Sequence, residues 1–153
     1  MYQTILLAYD GTREGRLALR EGAMLAKQFR SDVVLLAVVE ASLTPVAVDI
    51  GVAYVPYDQS DEYQLILDEG SERLQRLGLA HKVILQVGDP VTCIVKAAQD
   101  AHADLVVIGH HKSGWLARWL HEPVVAALIE SLECSVLSGR MEISDDDLFG
   151  PIA

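Results

Sequence analysis

"TILLAYDGTREGRLALREGAMLA", residues 4–26, changes its periodicity halfway along. Thr4 to Ala8 is an unbroken apolar run that ends at Tyr9-Asp10-Gly11-Thr12. A strand with one wet face alternates polar and apolar side chains. A run without alternation suits a strand covered on both faces, as in a parallel sheet. From Thr12 the spacing turns helical. Ala18, Leu19, Gly22, Ala23, Leu25, Ala26 and Phe29 fall on one side, and Arg13, Glu14, Arg16, Arg20, Glu21 and Lys27 on the other. Thr12 stands where an N-cap belongs.

The same alternation recurs down the chain. Asp32 to Glu40 predicts a second buried strand, Ser60 to Leu77 a helix with Tyr63, Ile66, Leu67 and Leu74 inward, and Lys82 to Val87 a third strand. Gly88-Asp89-Pro90 turns into a helix through Ala101, with Pro90 at the first helical position. Asp104 to Gly109 is the fourth strand, and Cys134 to Leu137 a short fifth after a helix around Val124 to Leu132. Strands alternating with helices predict an α/β fold: a single open, doubly wound, five-stranded parallel sheet with right-handed crossovers. Residues 41–58, with Pro45, Gly51 and Pro56, are expected as a long loop of the kind that is functional or disordered. Residues 1–139 are expected as one domain, and 140–153 as an acidic, disordered tail.

Bulk properties narrow the partners. The 153 residues suffice for one core. The net charge of −10, with no basic stripe, argues against nucleic acid and anionic membranes. No signal peptide and no spanning segment are legible, so a cytoplasmic location is expected. Cys93 and Cys134 are isolated in apolar segments and are expected as buried free thiols.

The stretch "VVIGHHKSGWLARWLHEPVV", residues 106–125, carries the functional question. A strand ends in Gly109 and a helix follows, the junction at which open α/β sheets hold phosphate. Three stretches together resemble the universal stress protein family: "ILLAYDGTREGRLALREGAMLA", "VGDPVTCIVKAAQDAHADLVVIGHH" and the closing "CSVL". The resemblance spans residues 2 to about 138 and makes 1–139 a universal stress protein domain. It implies a sheet in the order 3-2-1-4-5, of the adenine nucleotide alpha hydrolase-like type, usually paired into a homodimer through the C-terminal strand. One branch of the family binds ATP through Gly-x2-Gly-x9-Gly-Ser/Thr after the fourth strand, with an Asp after the first strand near the adenine and ribose. The UspA-type branch lacks those glycines.

Placed on this chain, the pattern keeps Gly109 and loses the rest: Lys112, Glu122 and Pro123 stand at the other three positions. Glu122 would set a carboxylate beside a polyanion, and Pro123 removes an N–H and a hydroxyl together. The junction resembles a nucleotide site that has been closed. The expectation is a UspA-type, homodimeric stress-response protein with no cofactor, no enzymatic turnover and an unidentified protein partner. The alternative is ATP or another adenine nucleotide held by Asp10, Val39, Gly109, His110 and Lys112, with Val38 beside Val39. A third possibility is a metal held by His110, His111 and His121, but adjacent histidines rarely aim at one ion. Trp115 and Trp119, four apart, suit core or dimer packing better than base stacking. Asp10 also has a plain structural role, accepting backbone N–H bonds in the Asp-Gly-Thr turn. No Ser-His-Asp order, nucleophile elbow, HExxH or paired-carboxylate signal stands out.

Overall fold

The computed structural model describes residues 1–110 and 122–150. Strands β1 (Thr4–Ala8), β2 (Asp32–Val39), β5 (His81–Val87), β6 (Leu105–Gly109) and β7 (Ser135–Gly139) form one sheet in the order β5-β2-β1-β6-β7, every pair parallel. With β3 (Ser42–Val48) and β4 (Gly51–Tyr57) set aside as a separate antiparallel pair, this is the expected order 3-2-1-4-5. Helices α1 (Arg13–Phe29), α2 (Ser60–Arg76), α3 (Pro90–Asp100) and α4 (Glu122–Ser131) supply the crossovers. A five-residue α5 (Asp145–Phe149) closes the described chain.

The apolar runs are unbroken because the sheet has two cores. Ile5, Leu7, Val33 and Leu35 face a cluster with Ala18, Ala23, Leu67 and Leu74, from α1 and α2. Leu6, Val34, Leu36 and Val38 face a second cluster with Cys93, Ile94, Ala97 and Leu128, from α3 and α4. Each central strand therefore buries both of its faces, as its composition requires.

Two expectations need correction. Residues 42–57 are a hairpin, with Ser42 opposite Tyr57 and Val48 opposite Gly51 around the turn at Asp49-Ile50. Prolines at 45 and 56 hid the strand pattern. The segment after β7 is also not a disordered tail over its described length. Ile143 and Leu148 are 9% and 2% exposed and belong to the α1/α2 core. The acidic run Asp145-Asp146-Asp147 is the first turn of α5, where carboxylates complement the helix dipole, and Ser144 caps it by accepting from the Asp147 amide.

That segment lies along α1. Arg20 donates from Nε to the Ile143 carbonyl at 3.0 Å and from Nη2 to Asp145 at 2.5 Å. Lys27 reaches the Leu148 carbonyl, and Arg13 pairs with Glu142. Glu21, expected on the wet face of α1, is instead buried and accepts the amides of Arg140 and Met141. Gly139 makes the approach possible, because a Cβ there would lie 2.5 Å from the Ala18 Cα.

Candidate functional site

The carboxyl ends of β1, β2 and β6 meet where an open parallel sheet binds ligands. β1 delivers Tyr9 and Asp10, both buried. Asp10 Oδ1 accepts from the Thr12 amide at 3.1 Å and from the Thr12 hydroxyl at 2.7 Å. Thr12 Oγ1 accepts in turn from the Gly15 amide at 3.0 Å, which is the α1 N-cap foreseen from sequence. Only glycine fits at 15, since a Cβ would stand 2.4 Å from Asp10 Oδ1. Asp10 thus organises the turn that starts α1.

The candidates are only partly brought together. Asp10 and His110 both stand at this end of the sheet, His110 directly after β6, its amide donating to the Gly139 carbonyl at 3.3 Å. Gly109 is buried in register with Gly139. Val38 and Val39 are each 2% exposed, and the Val39 carbonyl is taken up by the Gly88 amide at 2.9 Å. Lys112, His111, His121, Trp115 and Trp119 lie outside the described residues. Glu122 and Pro123 are the first two residues of α4, so that helix starts without an N–H at its second position. Among the described residues no three His, Cys, Asp or Glu side chains are grouped to hold a metal ion.

Three features of this end were not foreseen. Arg140, just past β7, donates from Nη2 to His110 Nε2 at 2.5 Å, which makes that nitrogen the acceptor. Around Tyr63 of α2 the charges are negative: burial, then Asp10, Glu62 and Glu40 push its phenol upward. Beneath them, the Tyr9 hydroxyl donates to Glu69 Oε2 at 3.0 Å, while Arg16 and Arg73 donate to Glu69 Oε1 at 3.1 and 2.6 Å. Burial pushes the Tyr9 phenol up to about 12, opposed by its hydrogen bond with Arg16 and assisted by the Glu69 charge. Glu69's partial burial works upward, but bonds from Arg73, Arg16 and Tyr9 hold its carboxyl below the ordinary range. The contacts of Tyr9 and Arg16 with Glu69 span 60 and 53 residues, a separation at which sequence carries no signal.

The thiols are poor nucleophiles. Cys93 is buried, Cys134 half-buried, and both are free. Burial raises each above the ordinary thiol value, with Asp89 and Asp104 respectively adding to the effect. No helix among the described residues is long and apolar enough to cross a membrane.

Comparison with known proteins places this geometry in context. Universal stress protein Sll1654 of Synechocystis sp. is 31% identical over 137 residues, covering 90% of this chain and 85% of that protein. A universal stress protein solved in complex with cAMP superposes with a TM-score of 0.66 at 20% identity, over 92% of this chain and 99% of that one. The universal stress protein of Archaeoglobus fulgidus in complex with dAMP gives 0.65 at 19% identity, over 91% and 98%. At those identities the two solved structures speak for the fold. Residues 1–138 match the sequence profile of the universal stress protein family, and the chain belongs to that family.

Proposed function

We propose that the chain is a UspA-type regulatory protein, acting in the cytoplasm as a homodimer, without enzymatic turnover and without tight ATP binding. The observation that carries this is the charge and backbone at the ligand end of the sheet. The charges of Asp10, Glu62 and Glu40 act together on Tyr63, and α4 begins with Glu122 and Pro123. A triphosphate needs aligned N–H donors and positive potential. Here it would meet the carboxylate of Asp10, and the helix that follows β6 has Pro123 at its second position and so one N–H fewer. Losing a few charge-assisted hydrogen bonds, ~1.5–3 kcal/mol each, carries a micromolar site beyond millimolar. Titration calorimetry with ATP and Mg²⁺ is expected to give no saturable heat at tens of micromolar; a 1:1 isotherm in that range would overturn the proposal.

A second reading is an adenine nucleotide with fewer phosphates. The structural relatives solved with cAMP and dAMP favour it, together with an Asp10 already fixed at the end of β1. Saturable heat with AMP but not ATP would select this reading.

The homodimer is proposed through β7, the outermost strand on its side of the sheet. Val136 and Leu137 are only half-buried there, and a bare strand edge invites pairing. Light scattering that finds only the mass of one chain at micromolar concentration would refute it.

A further inference from the structure

We infer that the β3–β4 hairpin is a self-association surface that docks one apolar face on the same face of a second copy. Among the described residues the two strands pair with each other and not with the main sheet. Residues 41–57 contain a single charged side chain, Asp49 at the turn, in a chain of net charge −10. In an antiparallel pair, residues directly opposite share a face. The register therefore puts Leu43, Pro45, Ala47, Val52 and Tyr54 together on one side. All five are exposed, with Leu43 at 64%, Val52 at 62% and Tyr54 at 67%, and Ile50 at the tip is 99% exposed. Val46, Val48 and Val55 on the opposite face are less open, at 41–45%.

An isolated two-stranded hairpin is marginal in water, so a face of this kind stands to gain from being covered. Its edges are unsuited to strand addition. Counting from the Val48–Gly51 pair that closes the turn, Pro45 and Pro56 fall at alternate positions, where the backbone N–H would point outward. Each strand thus lacks an outward donor, a common guard against edge pairing. The face is left as the docking surface.

The occupant that fits is a second copy. Two chains of net charge −10 repel, and an uncharged patch is where they approach at least cost. Under a two-fold axis the patch meets its own copy, apolar against apolar, with no charge pairs to satisfy. At up to about 100 Å² of apolar surface per large side chain, the face offers roughly 500 Å² with Ile50. Two faces together remove about 1,000 Å², the lower bound for a specific interface. The contact should accordingly be reversible and concentration-dependent. It is separate from the β7 contact proposed above, so a chain using both links dimers into a larger assembly, a tetramer where the two axes close and an open array where they do not.

The test is sedimentation of the full chain over a concentration series, beside Val52→Asp with Tyr54→Asp, Val46→Asp, and Val136→Pro in β7. The expected result is that the Val52/Tyr54 variant stops at the mass of the β7 dimer, below the wild type, and that Val46→Asp matches the wild type. If β7 pairing is absent, wild type is a dimer and the Val52/Tyr54 variant a monomer. If the hairpin contact is absent, only Val136→Pro lowers the mass, which overturns the inference. A wild type that never exceeds one chain overturns it as well. Hydrogen exchange on wild type needs no substitution: protection of residues 43–55 should rise with concentration, and protection independent of concentration is equally fatal.

Discussion

Glu21 Oε2 lies 3.1 Å from the amide nitrogen of Arg140 and 3.3 Å from that of Met141, across 119 residues of sequence. One buried carboxylate on α1 thereby receives the chain as it leaves β7 and turns it along the helix. Glu21→Ala should leave both amides without that acceptor and cost about 1–3 kcal/mol. Thermal unfolding should show the loss as a melting temperature lower by roughly 2–10 °C.

The same contact makes the C-terminal segment part of the fold. Ile143 and Leu148 leave water almost completely, at ~1.5–3 kcal/mol each. A chain ending at Arg140 should therefore melt at least ~6 °C below the full chain. Equal melting temperatures would show that the segment contributes nothing.

Gly139→Ala tests the packing beneath it. The new Cβ would stand 2.5 Å from the Ala18 Cα, so β7 and α1 must separate. The expected cost is about 1–3 kcal/mol, as for overpacked cores. A variant as stable as wild type in urea would show that the strand can shift freely.

The Tyr9–Glu69 pair predicts two pH windows. Tyr9 is raised to about 12 in the folded state, so the unfolded chain releases this proton first as pH rises above its ordinary value of about 10. Stability should fall across that window, and Tyr9→Phe should flatten the fall. Glu69 is depressed, so its contribution is present above the ordinary carboxylate value and disappears as pH falls through the folded one. Glu69→Gln should remove that acid-side slope; denaturant midpoints measured against pH report both effects.

The junction after β6 can be reopened as a converse test. Lys112→Gly with Glu122→Gly and Pro123→Ser restores the family's ATP-binding pattern while leaving Asp10 and its turn in place. Measurable ATP binding by calorimetry is expected if this junction alone closes the site. A folded triple variant without binding would place the obstruction elsewhere, with Glu40 and Glu62 the next residues to change.

By itself, the sequence determined the layered α/β architecture. Unbroken apolar runs such as Thr4–Ala8 can only be satisfied by burying both faces, and the Thr12 cap and Pro90 helix start are local chemistry. Asp10 was also legible, because its partner Thr12, through both amide and hydroxyl, is two residues away in the chain. Tertiary structure decided what depends on distant partners. The hairpin was obscured because Pro45 and Pro56 read as loop residues until a register places their missing donors on the outer edges. Docking of 140–150 rests on two apolar side chains five positions apart, too few to form a period, and becomes visible only when Gly139 lets the chain close on Ala18. The grouping of Tyr9, Arg16, Glu69 and Arg73 required two helices and a strand end to converge. Periodicity records which face of an element is buried, whereas the identity of the side chain across the interface is set only when the elements pack.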